Sequence, residues 1–119
     1  MIVNFEQITA NLPPTSIHKY ALCLSEKLKS HYGVGNELNN AAMKKHLADN
    51  GYILTPAQVR QTLHYMRVHF MFANEEMNMC YICANQKGYF ITNSQDEINR
   101  YKTSLQQRMN SINEILACL

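Results

Sequence analysis

At 119 residues, 46% hydrophobic and 17% charged, the chain has the composition of one globular domain and not of a disordered segment. A net charge of +2 neither demands a polyanionic partner nor excludes one, because a local patch decides that. No run approaches the roughly 18 apolar residues of a membrane span, and the opening MIVNFEQITANLPP lacks the basic start and apolar core of a secretory signal, which points to the cytoplasm.

Residues 1–14 read as irregular, with Pro13-Pro14 forcing an extended approach to the first helix. That helix is expected over Ile17 to His31, capped by Thr15 or Ser16. Ile17, Ala21, Leu24 and Leu28 line its inner face, and Gly33-Val34-Gly35 ends it. Glu37-Leu38 is at most a short extended piece. Asn39 can cap a second helix, Asn40 to Asp49, with Met43 and Leu47 inward and Gly51 as a left-handed stop.

After the short apolar connection Tyr52-Ile53-Leu54, Thr55 and Pro56 open a third helix that reaches Phe70. Val59, Leu63, Met66 and Phe70 form its apolar stripe. The rest of its surface is hydrogen-bonding or cationic and holds no carboxylate. Two helices joined by a short Gly-containing turn make a helix-turn-helix, with the third helix as the reading element.

MFANEEMN then reads as a polar connector. Met79 to Ala84 and Tyr89 to Thr92 are strand-forming and flank Asn85-Gln86-Lys87-Gly88, so they predict a two-stranded hairpin with Gly88 at positive φ. Ser94 followed by Glu97 predicts a capping box at the start of a last helix running from Gln95 nearly to Leu119. Ile98, Tyr101, Leu105, Ile112, Ile115 and Leu119 recur at alternating spacings of three and four, with Arg108 as the one break. They are the candidate packing or dimerisation residues.

The order predicts a mainly α fold with a small β-hairpin: a single winged helix-turn-helix domain over 1–119, its core at 17–92 and its long C-terminal helix at 95–119. GVGNELNNAAMKKHLADNGY, VRQTLHYMR and KGYFITNSQDEINRYKTSLQQRMNSI, in that order, resemble small winged-helix proteins encoded by phages and prophages. KGYFIT running into a capped helix is the most specific of the three. The resemblance covers about Ile17 to Leu119. It implies a helix in the DNA major groove, a wing beside it, and a terminal helix used for packing or dimerisation.

The candidate DNA-contacting residues are Gln58, Arg60, Gln61, His64 and Arg67 on the third helix, Lys87 at the hairpin tip, and Lys44 and Lys45 on the second helix. Glutamine can pair with adenine, arginine with guanine or phosphate, and lysine with phosphate. Cys80 and Cys83 form a lone CxxC on a strand, where a spacing of three sends the side chains to opposite faces and argues against metal ligation. No nucleophile–base pair, phosphate loop or carboxylate pair supports catalysis, and no cofactor is expected. Double-stranded DNA is therefore the expected partner of a transcription or replication regulator. The alternative is a protein-interaction module, or an inhibitor of a host complex, using the same scaffold without DNA.

Overall fold

The computed structural model describes residues 12–70, 72–73 and 79–119. The expected irregular segment at 1–14 therefore lies outside the described residues except at its last three positions. The first helix, α1, spans Pro14–Leu28 and starts earlier than the sequence predicts. Pro13 is its extended N-cap, with no side-chain cap, and Pro14 takes the first helical position, where a missing N–H costs nothing. Thr15 and Ser16 thus lie inside the first turn and do not cap it. The helix also stops three residues short of His31. The His31 carbonyl accepts from the Ile91 N–H at 2.9 Å and the Gly33 N–H donates to Ile91 O at 2.9 Å. Pairing with a strand has drawn this segment out of the helix.

α2, Asn40–Asp49, keeps its expected bounds, and Asn39 Oδ1 accepts from the Ala42 N–H at 2.8 Å. α3, Pro56–His69, is capped by Thr55. The three helices pack on one another. Their predicted inner residues meet in one core: Ala21, Leu24 and Leu28 from α1, Met43 and Leu47 from α2, and Val59, Leu63 and Met66 from α3. Each of the larger side chains, Ala21 aside, contributes on the order of 2 kcal/mol by leaving water.

Three antiparallel strands close this core: β1 (Phe72–Ala73), β2 (Met79–Asn85) and β3 (Gly88–Thr92), in that order across the sheet. The sequence predicts a two-stranded hairpin preceded by a polar connector. Instead Phe72 pairs with Cys80 and Ala73 with Met79, and Phe72 is buried in the core. The apolar start of the connector, ahead of the two glutamates, is what anchors it. Cys80, Ile82 and Ile91 face the helices. Cys83 and its cross-strand partner Phe90 are buried on the other face. Gly88 has a positive φ of 145°, and Leu38 pairs with the adjacent Tyr89 through N–H···O bonds of 2.7 and 3.0 Å. A Cβ at Gly88 would sit 2.5 Å from Leu38 O, so the close approach of this loop requires glycine.

The last helix, α4, spans Gln95–Cys118. Ser94 Oγ accepts from the Glu97 N–H at 3.4 Å, which is half of the expected capping box. The other half is absent. The Glu97 carboxylate accepts instead from Thr92 Oγ1 at 2.5 Å and from the Val34 N–H at 2.9 Å, and the Ser94 N–H donates to Thr92 Oγ1. A carboxylate that could satisfy its own helix start instead ties α4 to the Gly33–Val34 loop. No α4 residue is buried, and every residue from Lys102 onward is exposed. The first turns of α4 rest against β2, and the distal half stands clear of the body. Among the described residues, no helix is long and apolar enough to cross a membrane.

Candidate functional site

The polar side of α3 lines a recess open to solvent. With the hairpin and α4 it walls a cleft of about 840 Å³. Arg60, Gln61, His64 and Arg67 come from α3, Asn85, Gln86 and Tyr89 from the hairpin, and Arg100, Tyr101, Ser104 and Arg108 from α4. Helical spacing explains each wall. Residues 57, 60, 61, 64 and 67 share one face of α3 and residues 100, 104 and 108 one line of α4, while Val59, Leu63 and Met66 anchor the opposite side of α3 in the core.

Within the cleft, four guanidinium groups and one imidazole meet a single lining carboxylate, Glu97, whose oxygens already accept from Val34 and Thr92. Arg67 is held most firmly. Its Nη1 donates to the Tyr101 hydroxyl at 2.6 Å, and its guanidinium lies 5.6 Å from the centre of the Tyr89 ring. Its Nε is buried with no hydrogen-bond partner.

The residues expected to contact DNA therefore divide. Arg60, Gln61, His64 and Arg67 gather in the cleft; Arg60 and His64 are exposed there. Gln58 does not join them. Its Oε1 accepts from the Thr55 N–H at 3.0 Å and its own N–H donates to Thr55 Oγ1 at 3.2 Å, completing the capping box that starts α3. Gln61 is partly committed as well, its Oε1 accepting from the Leu12 N–H at 3.2 Å. Arg67 is a brace between α3 and α4 and not a free reading residue.

Lys44 and Lys45 are exposed on α2 but do not line the cleft. Lys87 is exposed at the hairpin tip, also outside the lining, and Glu37 stands near it. The Glu37 carboxyl accepts from Asn85 Nδ2 at 2.7 Å and from the Gly35 N–H at 3.1 Å. The Asn85 bond first, then backbone bonds and Lys87, hold it below the usual carboxylate range. The tip is thus closer to neutral than Lys87 alone implies.

Arg100, Ser104 and Arg108 were not singled out as contacts in the sequence. Their spacing of four was visible, and so was Arg108 as the one cation in an apolar stripe. What the sequence did not contain is the side on which α4 passes α3. The candidate dimerisation residues divide too. Ile98 and Tyr101 are half-buried on the body, whereas Leu105, Ile112, Ile115 and Leu119 are exposed.

The two cysteines of the CxxC lie on opposite faces of β2 and both are buried. Burial raises the Cys80 thiol pKa, and burial together with Glu97 pushes Cys83 up to about 11. Such thiols are protonated and poor nucleophiles near neutrality. Among the described residues no group of three His, Cys, Asp or Glu side chains could hold a metal. Compared with family models, with curated proteins and with solved structures, the chain matches none.

Proposed function

We propose that this protein binds double-stranded DNA as a winged helix-turn-helix, with phosphate contacts supplied by the α3–hairpin–α4 cleft. The observation that carries the reading is the convergence of Arg60, Arg67, Arg100 and Arg108, from two helices remote in sequence, on one cleft whose lining carboxylate is already hydrogen-bonded. A phosphodiester offers the geometry that guanidinium groups fit best.

In this reading α2, its short turn and α3 are the helix-turn-helix, and β2–β3 is the wing. The exposed Arg60 and His64 lie on the accessible half of α3 and meet base edges or phosphate. Arg100 and Arg108 grip the flanking backbone from α4, and Lys87 braces it from the tip. Arg67 fixes the distance between the two helices. Gln58 plays no part in reading. The resemblance to phage and prophage winged-helix proteins fits a regulator of transcription or replication.

The competing use of the scaffold, as a protein-binding module without DNA, is favoured by the exposed apolar residues of distal α4. The experiment that separates them is a mobility shift on pooled random duplexes at about 50 and about 200 mM salt. Retention that weakens steeply with salt and yields an enriched site supports the DNA reading. No retention at the lower salt rejects it.

A further inference from the structure

From Leu105 onward α4 carries an apolar face that lies exposed. Leu105, Met109, Ile112, Ile115, Leu116 and Leu119 are between 39% and 98% exposed. A helical stretch of this length gains most of its stability from packing, so an uncovered face of this kind calls for a partner. We propose that the partner is a second copy of the chain, its α4 laid antiparallel against the same distal segment.

Three features select that partner. First, the stripe repeats every 3.5 residues, the period of a helix that wraps against another helix and not one lying on a sheet or a flat surface. Second, coiled-coil partners of unlike sequence are chosen by charges flanking the seam. Here Met109 and Leu116 flank one side and Ser104, Ser111 and Cys118 the other. Between residues 103 and 119 the only charges are Arg108, which lines the cleft, and Glu114, which is away from the seam. Beyond Arg108, which turns to the cleft, no charge on this face selects an acidic or basic partner, and a second copy supplies the same uncharged stripe at matching spacing.

Third, Ile98 and Tyr101 belong to the same stripe but rest half-buried on their own domain. A parallel, in-register partner would have to occupy the space that the body already fills at that level. An antiparallel partner overlaps only the distal segment, with Ile112 beside Ile115 of the second copy, and carries its own body beyond the tip. The inference does not rest on DNA binding. If both hold, the dimer presents two clefts related by a two-fold axis, and the bound site is a palindrome.

The test is sedimentation equilibrium on the full chain at about 100 µM, with an orientation assay. The expected mass is twice the 13.7 kDa of the chain. The double variant Ile112→Glu/Ile115→Glu changes only exposed side chains, so the body keeps its near-ultraviolet circular dichroism and the protein sediments at 13.7 kDa. A monomeric parent, or a double variant that stays dimeric, overturns the proposal.

For orientation, Ser111→Cys is oxidised in a Cys23→Ser background. The antiparallel arrangement brings the new thiol within about 3 Å, along the axis, of Cys118 of the second copy. It leaves the two Cys118 side chains about 14 Å apart along the axis at roughly 1.5 Å per residue, too far to bond. A disulfide joining positions 111 and 118 supports the arrangement. One joining 118 to 118 overturns it. Neither result depends on whether DNA is retained, so the two proposals can fail separately.

Discussion

The DNA reading makes a quantitative demand on two exposed arginines that never meet in the sequence. Arg60 on α3 and Arg100 on α4 both line the cleft and both lie at the surface, so Arg60→Ala/Arg100→Ala leaves the core untouched. If Arg60, Arg100, Arg108 and Lys87 each neutralise one phosphate, log K falls with log salt at a slope of about −3.6, from roughly −0.9 per contact. A fourfold rise in salt, from about 50 to about 200 mM, then weakens binding about 150-fold. Removing two contacts halves the slope to about −1.8, and the same change in salt costs only about 12-fold. Fluorescence anisotropy titrations at four or five salt concentrations measure both slopes. A double variant that binds more weakly but with the parental slope would refute the reasoning, because its arginines would then be acting through structure and not through phosphate. Unchanged affinity and slope would remove the cleft from the interface altogether.

Arg67→Ala is expected to act on stability as well as on binding. It removes a bond to Tyr101 and the contact over Tyr89, and calorimetry should show a loss of about 1–2 kcal/mol. Arg67→Lys keeps the charge but not the planar fork, and recovers only part of that loss. Gly88→Ala places a Cβ 2.5 Å from Leu38 O at a backbone angle that side chains avoid. It should cost about 2 kcal/mol or more in urea denaturation, and a change below about 0.5 kcal/mol, the size of an ordinary surface substitution, would contradict the packing of that loop. The thiols should sort by burial. Cys118 reacts with a disulfide reagent at once, half-buried Cys23 slowly, and Cys80 and Cys83 only in denaturant. Because Cys83 is raised to about 11 from 9.0, the folded state holds that proton more tightly than the unfolded chain. Its contribution to stability is complete below pH 9 and lost as pH rises toward 11. A Cys83→Ser variant should lack that part of the alkaline fall seen by circular dichroism.

The parts of the fold that were legible in the sequence are those set by local chemistry. Asn39, Thr55 and Ser94 cap where their side chains predict, because a hydroxyl or amide beside unpaired N–H groups acts within four residues. The stripes at Leu24 and Leu63 were legible for the same reason, since the helix period acts along the chain. The misses are all long-range. The end of α1 is decided by pairing with β3, some 60 residues away. Glu97 leaves its capping box because Val34 offers an otherwise unsatisfied N–H. Phe72 becomes a strand residue because the core has room for it. The site follows the same rule. The α3 half of the cleft was visible as a cationic, carboxylate-free face, but Arg100 and Arg108 join it only because α4 passes that side.

α4 performs two tasks with one stripe, and the point where they meet is informative. From Ile98 to Tyr101 the stripe turns inward, held by the Glu97 bonds to Val34 and Thr92 and by the Tyr101 bond to Arg67. From Leu105 outward the same stripe faces solvent. Arg108 sits at the boundary and lines the cleft, which accounts for a cation in an otherwise apolar seam. An apolar residue there would extend the stripe but remove a guanidinium from the cleft. A cation one heptad later would spoil the seam and reach nothing. The position of the break in the repeat is therefore set by where the body ends. The two latches that fix α4 to the body also fix the width of the cleft, because its two walls are α3 and α4.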